Sequence, residues 1–369
     1  MKILMCSNSF PPSGGGSQRY ALEVATHLKE SGEEVTFITR YQNGSEEFDK
    51  KLSFPVIRKK SKLSLIIKFI SLVMRMKPDI IFVAHRADFA ALASFVNKFF
   101  GIPYVISVYG GEILHSFRTK SVKKNFAHSK KIIAISRFTK SLLTDLDVAE
   151  DKIVVVPCGT DPNLFHPDLN TEQVVKKHNL TNKKVILSVS RLVERKGHAN
   201  VIAAMPEILE KIPEALYIIV GKGKEEDNLK KQVSQLILEE KVIFAGFVPD
   251  NEIPYYYAAC DLFIMPSFPA QEGENVEGFG IAYLEANSCG KPVIGGKSGG
   301  TEDAVIDGKT GILVDPQNIE EITDAVVNIL SDKSLAAQMG KNGRERVVTE
   351  LNWSSVTKKI LGILKDIVS

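Results

Sequence analysis

The chain has 369 residues, of which 44% are hydrophobic and 25% are charged, a composition typical of a globular protein with room for two domains. The formal net charge of +3 conceals an asymmetry, because residues 1–150 carry 23 Lys and Arg against 13 Asp and Glu. The rest of the chain is acidic on balance. The basic first part therefore predicts an anionic partner.

Several classes of protein are excluded at this stage. The longest apolar stretch, Leu63–Met76, is interrupted by Lys68 and Arg75, so it does not predict a membrane span. The segment Met1–Cys6 predicts a first buried strand and not a signal peptide. The four cysteines lie far apart without metal-ligand spacing, which indicates buried thiols in a reducing compartment and no zinc site. We therefore expect a cytoplasmic protein, and no motif favours a nucleic-acid partner.

In the first half of the chain, short apolar runs alternate with segments of helical apolar spacing. The predicted strands are Lys2–Cys6, Glu34–Thr39, Ile80–Ala84, Tyr104–Val108, Lys131–Ala134 and Ile153–Val156. The predicted helices are Ser17–Ser31, Lys62–Met76, Ala87–Phe100 and Arg137–Leu146. This order predicts a parallel sheet that is covered by helices on both faces.

The pattern then restarts. The predicted strands are Lys184–Val189, Ala215–Val220, Val242–Phe244, Leu262–Met265, Pro292–Ile294 and Gly311–Val314, with helices such as Ala199–Lys211 and Glu225–Gln235 between them. We predict two doubly wound α/β domains, residues 1–165 and 166–352, joined near Pro162–Lys177 where prolines and polar residues break the pattern. The amphipathic segment 353–369 predicts a helix that crosses back to the first domain.

Three consecutive glycines, Gly14–Gly16, follow the first predicted strand and open a helix. Glycines let the backbone approach a ligand closely and direct its N–H groups at anionic oxygen, which favours Gly15 and Gly16 as phosphate contacts. A flexible loop is the alternative interpretation. The spacing is not G-x-G-x-x-G and no Walker lysine follows, so neither an NAD site nor a P-loop is indicated.

Cations and glycines stand at the strand ends of the second domain. Arg191 and Lys196 follow Lys184–Val189, and ligands of open α/β sheets bind at the carboxyl ends of strands. The planar fork of Arg191 and the point charge of Lys196 would neutralise a diphosphate, unless both simply lie in a solvated loop. At another strand end, Gly246, Phe247 and Val248 offer main-chain groups and a surface on which a base could stack.

Two carboxylates flank a glycine-broken apolar turn in the second domain. Glu277 precedes Gly278, Phe279 and Gly280, and Glu285 falls inside the helix that begins near Ile281. A helix N-terminus is a ready site for anionic oxygen, and each carboxylate adds acceptors for sugar hydroxyls. The segment therefore predicts a receptor for a phosphorylated sugar, although the spacing of the glutamates alone would be weak evidence.

Taken together, these motifs resemble the retaining glycosyltransferases of family 4, which have the GT-B fold of two Rossmann-like domains facing a central cleft. The motifs occur in the family's order over nearly the whole chain. The run Asn275–Glu285 with Ala286–Gly296 is most similar to the bacterial mannosyltransferases of phosphatidylinositol mannoside synthesis.

The resemblance implies a role for each motif. Arg191 and Lys196 would hold the donor diphosphate and help the nucleotide leave, and Glu285 would accept the ribose hydroxyls. Glu277 and the N–H groups of the turn that follows would hold the donor sugar and phosphate, with Gly15 and Gly16 closing on the diphosphate from the other domain. The family needs no cofactor and no metal, and this sequence offers no Asp-x-Asp at a strand end.

One position departs from the family pattern. After Tyr104–Val108 relatives usually have His-Gly, whereas this chain has Tyr109-Gly110. Tyrosine forms hydrogen bonds but does not become cationic near neutral pH. Either Tyr109 replaces the histidine as a contact to the donor sugar, or His85 or His115 does so from nearby.

A basic cluster precedes an apolar helix in the first domain. The cluster contains Arg58, Lys59, Lys60 and Lys62, and Arg118 and Lys120 belong to a second basic patch. Basic and apolar side chains on one surface favour peripheral docking on anionic lipid, at about 1 kcal/mol per cation. The alternative is that the apolar residues of the helix belong to the core of the domain.

The sequence thus predicts a glycosyltransferase that moves a hexose, mannose from GDP-mannose by preference, to a hydroxyl of a lipid-linked or glycan acceptor. It would be cytoplasmic, with peripheral contact to the inner face of the cytoplasmic membrane. The alternatives are a UDP-sugar-dependent glucosyl- or N-acetylglucosaminyltransferase, a GT-B nucleotide-sugar epimerase, and a GT-B protein that binds a donor or glycan without turnover.

Overall fold

The computed structural model describes residues 1–85, 87–111, 125–269 and 276–369. Within these residues the chain divides into two compact units. The first unit holds the described residues of Met1–Cys158, Gly273–Gly278 and Trp353–Ser369, and the second holds those of Gly159–Glu272 and Phe279–Asn352.

The first unit is built on a parallel sheet with the strand order β3-β2-β1-β4-β5-β6-β7. Its strands are β1 Lys2–Ser7, β2 Glu34–Arg40, β3 Val56–Lys59, β4 Ile80–His85, β5 Tyr104–Val108, β6 Lys131–Ala134 and β7 Ile153–Val155. Besides the last helix of the chain, its described helices are α1 Gly16–Glu30, α2 Ser45–Asp49, α3 Lys62–Met76, α4 Ala87–Phe100 and α5 Arg137–Thr144, with a 3₁₀ turn at Glu150–Lys152. Strands such as β1 are apolar almost throughout because helices cover both faces of the sheet.

The second unit contains a second parallel sheet, with the order β10-β9-β8-β11-β12-β13. Its strands are β8 Lys184–Val189, β9 Ala215–Val220, β10 Val242–Gly246, β11 Leu262–Met265, β12 Val293–Gly296 and β13 Gly311–Val314. Its helices are α6 Glu172–Lys177, α7 His198–Lys211, α8 Glu226–Gln235, α9 Ile253–Ala259, α10 Ile281–Ser288, α11 Thr301–Ala304, α12 Ile319–Ser331 and α13 Lys333–Thr349, with a 3₁₀ turn at Glu194–Lys196.

Both sheets have buried apolar cores, and the predicted fold class of two doubly wound parallel sheets is confirmed. The sequence pattern does not predict β3, a short edge strand whose last two residues begin the basic cluster. Helix α3 begins as predicted, because the side chain of Ser61 accepts a hydrogen bond from the N–H of Ser64 at 3.1 Å.

The last helix, α14 Trp353–Val368, packs on α1 of the first unit. The ring of Trp353 meets the ring of Tyr20 edge to face, with centroids 5.9 Å apart. Farther along the helix, Lys365 forms an ion pair of 3.4 Å with Glu33, which also pairs with the amino group of Met1 at 2.8 Å. The two termini of the chain therefore meet on the same unit.

Candidate active site

The loop Ser190–Gly197, at the carboxyl end of β8, carries both predicted diphosphate ligands. Its turn Glu194–Lys196 ends at Gly197, which has a φ of 74°, and a Cβ at Gly197 would stand 2.2 Å from the carbonyl oxygen of Pro266. Only glycine fits this position. The turn leaves the side chain of Lys196 almost buried, at 8% exposure, with its Nζ 3.2 Å from the Sδ of Met265. Arg191, in contrast, is exposed.

Two glycines after the end of β9 pack directly against the backbone of this loop. A Cβ at Gly221 would stand 1.9 Å from the carbonyl oxygen of Ser190, and one at Gly223 would stand 2.1 Å from that of Leu192. The N–H of Leu192 also donates to the carbonyl oxygen of Lys222 at 3.0 Å. These two glycines therefore allow two backbone segments to lie in direct contact.

A buried histidine that the sequence analysis did not single out lies under the loop. His198, the first residue of α7, is 2% exposed, and its Nε2 lies 2.9 Å from the Oγ of Ser190. Its Nδ1 lies 3.1 Å from the hydroxyl of Tyr217, which lies 2.8 Å from the Oγ of Ser188. Burial, together with the charge of Lys196, lowers the pKa of His198 to about 3. The one sequence signal was its position directly after Lys196-Gly197.

Glu285 lies inside α10 and is only 7% exposed. The hydroxyl of Tyr257 donates to its Oε2 at 2.8 Å, which fixes the orientation of the carboxylate. The hydroxyl of Tyr283, on the same helix, donates to the carbonyl oxygen of Met265. Because Lys196 contacts the side chain of Met265, the end of β11 links the turn that carries Lys196 to the helix that carries Glu285.

The segment before α10 starts this helix sharply. Gly280 has a φ of 95° and stands at the N-cap, Phe279 is buried, and Ile281 is the first helical residue. The boundary between the two units falls between Gly278 and Phe279. The stretch from Glu277 to Glu285 therefore contributes to both units.

The predicted base-binding edge has one exposed aromatic ring. Gly246 ends β10 with a φ of 69°, and the side chain of Phe247 is 68% exposed directly after it. Val248 is buried, so its contribution to a ligand would come from its main chain. An exposed phenylalanine beside an accessible strand end is suited to stack on a base.

In the first unit, the glycine loop opens α1. Gly15 is the N-cap residue with a φ of 148°, and Gly16 is the first helical residue, both of them exposed. A Cβ at Gly15 would stand 2.4 Å from the Oε1 of Gln18. The loop thus presents backbone at a helix N-terminus, as the sequence predicted for an anion contact.

Tyr109 follows β5 and is held by its neighbours in the first unit. Its hydroxyl donates to the carbonyl oxygen of Ala84 at 2.7 Å, and its ring lies 5.3 Å from that of Tyr20 and 5.4 Å from that of His85. His85 is thus adjacent to Tyr109, whereas His115 falls outside the described residues.

Glu277 and Gly278 lie beside this strand end. A Cβ at Gly278 would stand 2.1 Å from the carbonyl oxygen of Tyr109. Burial raises the pKa of the Cys158 thiol, and the charge of Glu277 raises it further, which places the carboxylate near Cys158. The structure therefore brings Tyr109, Glu277 and Gly278 together in the first unit.

In the basic cluster, the side chain of Arg58 is buried, whereas the three lysines are half-buried or exposed. The side chain of Arg58 is 5% exposed, and its Nε donates to Asp49 at 2.8 Å, so Arg58 is not a surface cation. Lys59 is half-buried, Lys60 is exposed above the ring of Tyr41 at 4.8 Å, and Lys62 is exposed. Arg118 and Lys120 lie outside the described residues.

Across the ranges 1–85, 87–111, 125–269 and 276–369, no three His, Cys, Asp or Glu side chains meet in a way that could hold a metal ion. In the same ranges, every helix is too short or too polar to traverse a bilayer.

Comparison with known proteins places the chain in a family. The Glycosyltransferase Family 4 model matches residues 14–164, and the Glycosyl transferases group 1 model matches residues 170–346. The chain is 30% identical to the GDP-mannose-dependent alpha-(1-6)-phosphatidylinositol monomannoside mannosyltransferase of Mycolicibacterium smegmatis, over 98% of each protein.

Two solved structures have the same fold. A glycosyltransferase from Rickettsia africae matches with a TM-score of 0.85 and 25% identity, over 100% of this chain and 98% of that one. HepE from Anabaena, solved in complex with UDP, matches with a TM-score of 0.84 and 22% identity, over 99% and 100% of the two chains. The two units therefore have the GT-B architecture.

The chain belongs to the family 4, group 1 glycosyltransferases. It is a hexosyltransferase that takes its sugar from a nucleotide donor.

Proposed function

We propose that this enzyme transfers mannose from GDP-mannose to a hydroxyl of a lipid-linked glycan acceptor, with retention of the anomeric configuration and without a metal or other cofactor. The single observation that carries the chemistry is the nearly buried side chain of Lys196, held by a fixed turn at the carboxyl end of β8. The preference for mannose is supported by the mycobacterial relative, whose name includes both GDP-mannose and a phosphatidylinositol monomannoside.

The proposed reaction exchanges one bond at the sugar. The acceptor oxygen forms a bond to C1 of mannose while the bond between C1 and the β-phosphate oxygen breaks, and GDP leaves with that electron pair. The acceptor's proton passes to the departing phosphate oxygen on the same face of the sugar. Negative charge develops on the diphosphate, and the ammonium group of Lys196 and the guanidinium group of Arg191 stabilise it.

The donor contacts are assigned on each unit separately. In the second unit, Glu285, oriented by Tyr257, accepts the ribose hydroxyls, and Phe247 with the main chain of Gly246 and Val248 meets the base. The N-terminus of α10, at Gly280 and Ile281, faces phosphate oxygen.

In the first unit, Gly15 and Gly16 offer their N–H groups to the diphosphate, and Glu277 accepts sugar hydroxyls. The hydroxyl of Tyr109 donates to the carbonyl oxygen of Ala84. We therefore assign Tyr109 the role of holding the strand end beside Glu277 in place.

An exposed apolar surface on the first unit supports an acceptor in a lipid bilayer. Helices α3 and α4 contact each other, and they expose six large apolar side chains: Leu63, Ile67, Met74, Phe95, Phe99 and Phe100. No Asp or Glu occurs from Lys59 to Lys77, whereas Lys59, Lys60, Lys62, Lys68, Arg75 and Lys77 are all cationic. Apolar side chains beside cations are suited to the headgroup region of an anionic membrane. We propose that the enzyme docks there on the cytoplasmic face.

This surface refines the expectation from sequence. The inner side of α3 is core, with Leu65, Phe69 and Val73 buried, and the outer side exposes Leu63, Ile67 and Met74. One side of α3 therefore belongs to the core of the unit, and the other side belongs to the exposed apolar surface.

A UDP-sugar donor is the alternative that a specific observation favours, because the Anabaena structure of the same fold contains UDP. We would titrate the protein with GDP-mannose, UDP-glucose and UDP-N-acetylglucosamine, each with and without EDTA, and follow heat release and slow hydrolysis of the donor. A parallel transfer assay adds a membrane lipid extract as the acceptor. Binding of GDP-mannose with release of free mannose, unchanged by EDTA, is the expected result. Preference for a UDP-sugar would overturn the donor assignment, and binding without hydrolysis or transfer would favour the non-catalytic protein.

Interconversion of the free nucleotide sugar would instead indicate an epimerase. The product of the hydrolysis and transfer assays, separated by chromatography, therefore also tests this alternative. We expect free mannose and mannosylated lipid and no epimerised donor.

Docking is tested separately by sedimentation with vesicles of phosphatidylcholine alone or with about 30% phosphatidylglycerol, which gives the vesicle surface a negative potential. Phe95→Ser with Phe99→Ser should weaken binding to the anionic vesicles at least about fivefold, from the loss of buried apolar area. Ile237→Ser is the matched control, because Ile237 is an exposed isoleucine of the second unit. Equal binding by both variants would remove this surface from the proposal.

A further inference from the structure

A chain of buried polar groups runs from the sheet of the second unit to the loop Ser190–Gly197. Ser188 in β8 donates to the carbonyl oxygen of Ile264 in β11 and contacts Tyr217 in β9. Tyr217 contacts His198, and His198 contacts Ser190 at the first position of the loop. Three neighbouring strands are therefore joined to one loop through a single imidazole ring.

His198 closes the loop at both of its ends. Its backbone follows Gly197 directly, and its ring reaches back to Ser190, eight residues earlier. Between these two points the loop carries Arg191, which is exposed, and Lys196, which is nearly buried. A change in the position of the ring would therefore be transmitted to both cations.

The ring of His198 makes these contacts as a neutral group. Because it is buried beside the positive charge of Lys196, the pKa of His198 falls to about 3, and the imidazole carries no charge at neutral pH. A neutral ring has one donor nitrogen and one acceptor nitrogen, so it can bond Ser190 on one side and Tyr217 on the other. It also adds no like charge beside Lys196.

We propose that His198 is a positioning residue for the departure of the nucleotide: it anchors the loop Ser190–Gly197 to the sheet so that Arg191 and Lys196 meet the developing charge on the diphosphate. This inference rests on the proposed role of Arg191 and Lys196. Such anchoring matters because preorganised charges stabilise a transition state without having to reorganise during the reaction.

Two substitutions distinguish the contact of the ring with Ser190 from its contact with Tyr217. His198→Gln retains a group that can reach Ser190, whereas His198→Asn is shorter and reaches only toward Tyr217. We expect His198→Asn to lower kcat about tenfold with a smaller change in the affinity for GDP, and His198→Gln to retain kcat within about threefold. Ser190→Ala should resemble His198→Asn, and the double variant should be no worse than either single one, because both remove the same link.

A second measurement does not depend on the donor. Hydrogen–deuterium exchange of peptides that cover residues 190–197 should accelerate in His198→Asn, since the N–H groups of Leu192, Lys196 and Gly197 are bonded within and beside this loop. His178→Asn is the matched control: His178 also contacts a tyrosine hydroxyl, that of Tyr256 at 3.0 Å, but it comes before β8 in the chain and is not part of the loop Ser190–Gly197. It should leave this exchange and kcat unchanged.

Lys196→Ala, assayed in parallel, separates the two hypotheses. If Lys196→Ala loses turnover while folded His198→Asn retains wild-type kcat and wild-type exchange at residues 190–197, the inference about His198 is wrong and the role of Lys196 stands. If Lys196→Ala itself retains turnover, the diphosphate assignment fails. Accelerated exchange together with lower kcat in His198→Asn and Ser190→Ala, but not in His178→Asn, is the expected result.

Discussion

The strand ends of the two units are built differently. In the second unit, Lys196, Glu285 and His198 are all nearly buried and are fixed by side-chain contacts to neighbouring strands and helices. In the first unit, Gly15 and Gly16 are exposed backbone, and Tyr109 and Glu277 are only half-buried. The second unit thus holds preorganised charge, whereas the first offers backbone N–H groups and, on α3 and α4, a basic and apolar surface. The contrast indicates that charge stabilisation resides mainly in the second unit.

The contrast is tested most strongly at Lys196. Lys196→Ala should lower kcat by about 10²–10³-fold, because the leaving diphosphate loses a fixed charge. Lys196→Met, which retains the length of the side chain, should lose as much. Lys224→Ala is the control, since Lys224 is an exposed lysine just beyond the end of β9. Steady-state transfer rates that are near normal in Lys196→Met would contradict the assignment.

Because His198 is buried in the second unit, we expect it to make the stability of the protein depend on pH. Its pKa is about 3 in the folded protein and about 6.5 in an unfolded chain. Between pH 3 and pH 6.5 His198 therefore takes up a proton when the protein unfolds. The contribution of the neutral, buried ring to the free energy of unfolding is complete above pH ~6.5 and is lost as the pH falls toward 3.

From this group we expect the free energy of unfolding to fall by about 2 kcal/mol between pH 7 and pH 5. Urea unfolding of the wild type and of His198→Asn at pH 7 and pH 5 measures it. The variant should lack this loss, and identical pH dependences would contradict the prediction.

Donor affinity should respond to Glu285 more modestly. Glu285→Gln should weaken GDP-mannose binding about tenfold, because hydrogen bonds from ribose hydroxyls to a neutral amide are weaker than those to a carboxylate. Tyr257→Phe, which removes only the hydroxyl that orients the carboxylate, should weaken it by about threefold. Isothermal titration separates the two values, and an unchanged affinity in Glu285→Gln would show that the ribose contact is assigned wrongly.

The smallest effect is expected in the first unit. Tyr109→Phe removes the hydrogen bond to Ala84 and should lower stability by about 1 kcal/mol, with kcat changed by less than about threefold. Tyr109→His should be similarly active. A tenfold loss of kcat in Tyr109→Phe, at unchanged stability, would instead indicate that the hydroxyl contacts the donor sugar, and the contrast between the two units would be weaker than we infer.

Local sequence was sufficient for much of the fold. The bounds predicted for α3 and α4 are those of the structure, because amphipathic spacing over 15 and 14 residues is a strong local signal. The same holds for the strands β8 and β9, each of which is a mainly apolar run of six residues. The motifs around Lys196 and Glu285 were likewise visible as residues that follow a strand or begin a helix.

Other features depend on residues that are distant in the chain. Arg58 belongs to a basic cluster in sequence, but the fold pairs it with Asp49, so it is not a surface cation. The outer apolar residues of α4 could not be distinguished from core residues, because periodicity defines a face and not what covers it. Nor could the sequence place Glu277 and Gly278 in the first unit with Tyr109.

By itself, then, the sequence determined the alternation of strands and helices and the chemical identity of the residues at the strand ends, because both depend on neighbours a few positions away. The tertiary structure decided which of those residues are buried and what they contact. His198 illustrates the difference: it becomes a link between sheet and loop only because β9 brings Tyr217, 19 residues later in the chain, against its ring. Burial and hydrogen bonding between distant residues arise from packing, which local pattern does not encode.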